Sequence, residues 1–188
     1  MPNLPRLLVA ALLALLLLAV GAVTATGAVT AVGAEPVAGA GTVAVTTAKP
    51  TFVVDGRVAE PLTLTVDDLR NYPVQRQRVR FMTGSGPQVH RYQGALLIDV
   101  LTAAKPQFDP AVKNDKLRHA VLAGATDGYQ AVLAWGEIDP AFANTRVLLA
   151  FEEDGRALER PRLVVPGDEH GGRYVTDVSS VSLFRVGT

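Results

Sequence analysis

From residue 50 onward, apolar residues come in short runs and alternations with polar ones, a period of two that predicts strands rather than long helices. Phe52-Val53-Val54 reads as a first strand and Asp55-Gly56 as a hairpin turn, with a return strand from Arg57-Val58. Leu62-Thr63-Leu64 is again strand-like. Thr65 then sits where it can cap a short helix, with Asp68 three residues on and Pro73 to end it. Residues 74–83 are extended and residues 83–87 form a Gly-rich loop. A helix is predicted over residues 95–104, where Leu97, Val100 and Leu101 share a face.

The second half repeats the strand pattern. Residues 117–123 and 129–133 flank an Asp127-Gly128 turn, and helical pieces are expected at 135–138 and 140–143. Val147-Leu148-Leu149-Ala150-Phe151 is apolar throughout, as a central strand should be. Asp154-Gly155 is a further turn, Leu163-Val164-Val165 a buried strand closed by Pro166-Gly167, and residues 168–173 a polar loop. Residues 178–186 alternate once more and close the sheet. The sum is an α+β fold of mixed β-sheets with a few short helices and no βαβ repeat.

The N-terminus has a different character. Arg6 precedes an unbroken apolar run over residues 7–20, short for a bilayer span and suited to an export signal. Residues 1–34 are therefore read as a signal peptide or N-terminal anchor, residues 35–49 as a low-complexity linker, and residues 50–186 as the folded domain. The expected location is periplasmic or extracellular, with membrane contact only through the N-terminal segment if it is uncleaved.

Charge and cysteine content narrow the chemistry. The 18 basic and 18 acidic residues balance, which gives no footing for nucleic acid as a partner. The chain has no cysteine, so it has neither a disulfide nor a thiolate ligand. Arg76, Arg78 and Arg80 alternate along one predicted strand and so share a face, either the solvated side of an edge strand or a docking stripe for an acidic partner. His90 and His170, with Asp168 or Glu169, offer metal-binding atoms at no compact ligand spacing, and no metal site is assigned to them. His119, inside a strand, is read as structural. Thr83-Gly84-Ser85-Gly86-Pro87 lacks the nucleophile-elbow pattern of a serine hydrolase, and no phosphate-binding Gly fingerprint is present.

Several blocks, taken in order, resemble the sulfite-oxidase-type molybdopterin-binding domain. They are Phe81-Met82-Thr83-Gly84, Tyr92-Gln93-Gly94-Ala95-Leu96-Leu97, Asp127-Gly128-Tyr129, Leu148-Leu149-Ala150, Asp154-Gly155-Arg156-Ala157-Leu158, Arg162-Leu163-Val164-Val165-Pro166-Gly167 and Gly172-Arg173-Tyr174-Val175. The resemblance implies the sulfite-oxidase-like fold and a cofactor cleft formed by Met82, Thr83, Gly84, Ser85, His90, Arg91, Asp127, Tyr129, His170 and Arg173, with molybdopterin as the cofactor that such a cleft would take. In that family a cysteine thiolate grips the molybdenum. Here Met82 stands at its place, or Thr83 if the match slips by one residue, and a neutral thioether is a poor substitute for a thiolate on a high-valent metal. The leading reading is an exported family member without molybdenum redox catalysis, its cleft holding a small polar ligand or a protein partner. Two alternatives stand beside it: a working molybdopterin oxidoreductase using a Thr83 or Ser85 oxygen ligand, and a structural domain that docks a partner. No catalytic residue is assigned.

Overall fold

A computed structural model describes residues 48–187. The segment read as an export signal, and the linker up to residue 47, lie outside the described residues. Two sheets carry the domain. The first contains β1 (Thr51–Gly56), β2 (Leu62–Thr65), β5 (His119–Ala125), β6 (Gln130–Ala134) and β9 (Val178–Arg185), in the order β2-β1-β9-β5-β6. The second contains β3 (Gln75–Thr83), β4 (Gly86–Leu96), β7 (Leu148–Glu153) and β8 (Arg156–Val164), in sequence order and antiparallel throughout. Two short helices, α1 (Leu97–Ala103) and α2 (Trp135–Ile138), join them.

The main core gathers Phe52, Val54, Leu97, Val100, Leu101, Val121, Leu133, Leu149, Phe151, Leu163 and Leu183, all buried. Each such side chain contributes about 1.5–3 kcal/mol by leaving water, which is how a chain without disulfides holds together. A smaller cluster lies on the other face of the second sheet: Val79, Phe81, Tyr92, Leu148, Ala150, Val164 and Tyr174. Alternation along β4 explains the division. Val89, Arg91, Gln93 and Ala95 share the face that leads into the main core, while His90, Tyr92 and Leu96 share the face of the smaller cluster. Across β3 the register continues the rule: Arg76 faces Gln93, Arg78 faces Arg91, and Arg80 faces Val89.

Several expected elements are displaced. Asp55-Gly56 is not a hairpin turn. β1 runs through Gly56, which pairs with Leu183 of β9 in a parallel ladder, and β2 returns only from Leu62. Gly56 has φ +87°, and a Cβ there would meet the Leu183 carbonyl oxygen at 2.1 Å, so the glycine serves close strand approach. The loop expected over 83–87 is a tight turn at Gly84-Ser85, with β4 resuming at Gly86. The helix expected from residue 95 starts at Leu97, because Gly94, Ala95 and Leu96 still pair with β7. Residues 140–143 form turns rather than a helix. Thr65 and Asp68 exchange the expected hydrogen bonds, the Thr65 N–H donating to Asp68 Oδ2 at 2.7 Å and the Asp68 N–H to Thr65 Oγ1 at 3.4 Å, but the element that follows is only a 3-10 turn over Asp68–Asn71 with Asp67, not Thr65, at its cap position.

Candidate functional site

The loop after β8 organises the residues singled out by the sequence. It runs beside the end of β3, where the Met82 N–H donates to the Glu169 carbonyl oxygen at 2.7 Å and Met82 forms a parallel bridge with His170. Gly171 lies against the Phe81 ring so closely that a Cβ would come within 2.8 Å of it. The Tyr129 hydroxyl donates to the Gly172 carbonyl oxygen, which brings the β5–β6 turn to the same loop. That turn is itself fixed by the Tyr129 N–H donating to Asp127 Oδ1 at 2.9 Å. Met82, Asp127, Tyr129, His170 and Arg173 are thus gathered around one loop, and Thr83, Gly84 and Ser85 form the turn at the adjoining strand end.

The polar groups of this loop are engaged with one another. Arg173 donates to Asp168 through Nε at 2.9 Å and Nη2 at 2.6 Å, a bidentate pair, and to Glu137 Oε2 through Nη1 at 2.7 Å. The Asp168 hydrogen bonds, followed by those of Glu137, hold the guanidinium firmly in its charged form. The Thr83 hydroxyl donates to the Gly86 carbonyl oxygen at 3.0 Å and accepts from the Ser85 N–H at 3.2 Å, so it closes the turn. Tyr174 stacks on Phe81 with ring centroids 4.2 Å apart, and its hydroxyl is buried without a partner among the described residues. Burial pushes the Tyr174 phenol up to about 12, so it stays neutral.

His90 and Arg91 do not join that group as a pair, because adjacent strand residues point to opposite faces. The Arg91 side chain lines an open cleft of about 710 Å³ with Arg76, Arg78, Val89 and Gln93, rimmed by Glu152 and Asp154. His90 lies on the other face, Nδ1 2.8 Å from Asp154 Oδ2 and 3.2 Å from Glu153 Oε1. Asp154 also accepts the Arg91 N–H at 2.8 Å through Oδ1. That backbone hydrogen bond, and then the His90 ring, keep its carboxyl below the usual carboxylate range. The Tyr92 hydroxyl donates to Glu153 Oε1 at 2.8 Å, and burial followed by this bond raises the phenol pKa. Glu153, Tyr92, Arg162 and Glu137 were not among the residues picked from the sequence. Glu153 and Asp154 lie 61–64 positions from their partners on β4; Asp154 was marked only as a turn residue and Glu153 not at all.

A family model described as the oxidoreductase molybdopterin binding domain matches residues 40–182, most of the chain. The chain belongs to the oxidoreductase molybdopterin-binding domain family. Among solved structures, the sulfane dehydrogenase SoxCD from Paracoccus pantotrophus is similar at TM-score 0.58 and 20% identity, over 72% of this chain and 38% of that one. The chain therefore spans well under half of that enzyme chain, and the likeness shows the shared fold. No curated protein matches.

Met82 and Thr83, the two residues the resemblance puts at the thiolate's place, do not fit the family's molybdenum centre. Such a centre needs an anionic sulfur or oxygen ligand together with cations and free N–H groups for a phosphorylated pterin. At the end of β3 the chain offers the Met82 thioether, a Met82 N–H already bonded to Glu169, and a Thr83 hydroxyl whose proton is committed to Gly86. The nearby guanidinium, Arg173, is bound on two sides by carboxylates.

Proposed function

We propose that this member of the molybdopterin-binding domain family is an exported binding module without molybdenum redox catalysis, and that it takes an acidic peptide segment of a partner protein on the arginine-bearing face of β3 and β4. The observation that carries the reading is the direct opposition of Arg78 and Arg91 in the register, both lining the open cleft. Like charges facing each other across a strand pair destabilise a sheet. Neither side chain forms an ion pair among the described residues, and the fold offsets the repulsion only through the longer-range attraction between Arg91 and Asp154. An acidic segment would relieve it.

Arg76 adds a third guanidinium, steadied by its Nε donating to Gln93 Oε1 at 3.0 Å, and Arg80 a fourth on the same face. Val89, exposed at 47%, supplies an apolar contact between the charges. The apolar run at residues 7–20 supports export, which would place the partner outside the cytoplasm.

The test is calorimetric titration of the protein with a hexa-aspartate peptide. Binding is expected at low salt, weakening as salt rises through the screening range. Arg78→Ser together with Arg91→Ser should abolish it. Equal binding by the double variant, or none by the native protein, would refute the assignment.

A further inference from the structure

Three potential ligand atoms converge around His90, on the face of β4 opposite to the Arg91 side chain. His90 Nδ1 stands 2.8 Å from Asp154 Oδ2 and 3.2 Å from Glu153 Oε1, and all three lie within 4.8 Å of one another. Metal bonds to imidazole nitrogen and carboxylate oxygen are about 2.0–2.2 Å long, so two ligands of one ion stand roughly 3–3.5 Å apart. The 3.2 Å separation falls in that range and the 2.8 Å one just below it.

Each carboxylate is also turned from outside the group. Asp154 Oδ1 accepts the Arg91 N–H at 2.8 Å, and Glu153 Oε2 accepts Arg162 Nη1 at 2.8 Å. Both outward oxygens are thus occupied, which leaves Oδ2 directed at the imidazole and Oε1 shared between the imidazole and the Tyr92 hydroxyl, which donates to it at 2.8 Å. Hydrogen bonds of this kind orient ligands in metal sites. A second cleft of about 460 Å³ opens on the same residues and is lined by His90, Glu153, Asp154, Arg156 and Leu158, which leaves room for water to complete the shell.

We propose that His90, Glu153 and Asp154 form a binding site for one divalent first-row metal ion, with zinc the best match. One neutral imidazole and two carboxylates give the three-ligand, open-position arrangement that zinc accepts, and their charge of −2 balances the ion. The site uses no atom of the Met82–His170 loop, although the His90 ring stacks at 5.9 Å on Phe81, which packs against Gly171, and it does not depend on the peptide-binding reading. The competing account is a protonated His90 paired with the two carboxylates, which satisfies the same distances without a metal.

Calorimetric titration of chelator-stripped, tag-free protein with zinc chloride decides between them, together with cobalt(II) absorbance and the shift in melting temperature on adding zinc. One equivalent is expected per chain. His90→Gln and Asp154→Asn should each weaken binding by more than about 100-fold, beyond the 10–100-fold typical of losing a hydrogen bond to a ligand. Asp154 is largely exposed, so its variant keeps the test valid if the His90 variant folds poorly. His170→Ala should bind as the native protein does. No zinc at millimolar concentration, undiminished binding in His90→Gln, or loss of binding in His170→Ala would each overturn the proposal.

Discussion

The backbone N–H of Met82 donates to the carbonyl oxygen of Glu169 at 2.7 Å, which stitches the end of β3 to the loop that follows β8. The two main chains meet where the resemblance puts the metal-binding thiolate, and Met82 continues the contact through its bridge with His170. On that match, the side chain this chain offers there is a thioether in place of a sulfur anion.

Restoring the sulfur should not restore the centre. Met82 is 36% exposed, so Met82→Cys is expected to fold with little loss of stability. Arg173 remains clasped by Asp168 and Glu137, so the guanidinium of that loop is not free for a pterin phosphate. The variant, expressed in a host that makes molybdopterin, is predicted to contain no molybdenum by elemental analysis. Stoichiometric loading would show that the missing thiolate was the sole obstacle.

The arginine face carries a stability cost that a charge reversal should reveal. Arg78→Glu replaces a like pair with an opposite one against Arg91. At low salt the variant is expected to gain about 0.2–1 kcal/mol in urea unfolding while losing peptide binding. The gain should shrink in high salt as the pair is screened. A loss of stability instead would mean that the native arginines help each other.

Gly94 should tolerate no side chain. A Cβ there would stand 2.4 Å from the Leu149 carbonyl oxygen and 2.7 Å from the Ala150 Cα, and backbone atoms cannot rotate aside. Gly94→Ala is predicted to cost roughly 3 kcal/mol, the upper end of overpacking, seen as a lower urea midpoint at unchanged slope.

Acid should act through Asp115. Its buried carboxylate accepts the Asp109 N–H at 2.9 Å and bonds Arg185 at 3.1 Å. The Asp109 hydrogen bond first, and then Arg185, lower its pKa against the opposing effect of burial. A depressed folded pKa means that the stabilisation is complete above the unfolded value of about 3.9 and is lost as pH falls through the folded one. Asp115→Asn should be less stable at neutral pH and should show a flatter decline below about pH 4. A decline as steep as the native protein's would assign the acid sensitivity elsewhere.

Local chemistry made part of this structure readable. Asp127-Gly128 and Asp154-Gly155 are turns because Gly128, Asp154 and Gly155 adopt positive φ, which Gly and Asp accept. Trp135–Ile138 is helical as its pattern indicated. The misplaced boundaries trace to partners distant in sequence. Gly56 and Gly94 look like punctuation along the chain, yet each is there because another strand, at Leu183 or Leu149, passes too close for a side chain. The family likeness pointed to Met82, Tyr129 and His170, which do meet around one loop. It could not show that Arg173 also reaches Glu137, or that His90 turns toward Glu153 and Asp154, since those contacts exist only once the sheets have formed.

The most direct test is molybdenum and pterin analysis of the native protein, purified from a host competent in molybdopterin synthesis. The account predicts protein free of both molybdenum and the pterin chromophore. One molybdenum per chain with a bound pterin would contradict it and return this domain to redox chemistry.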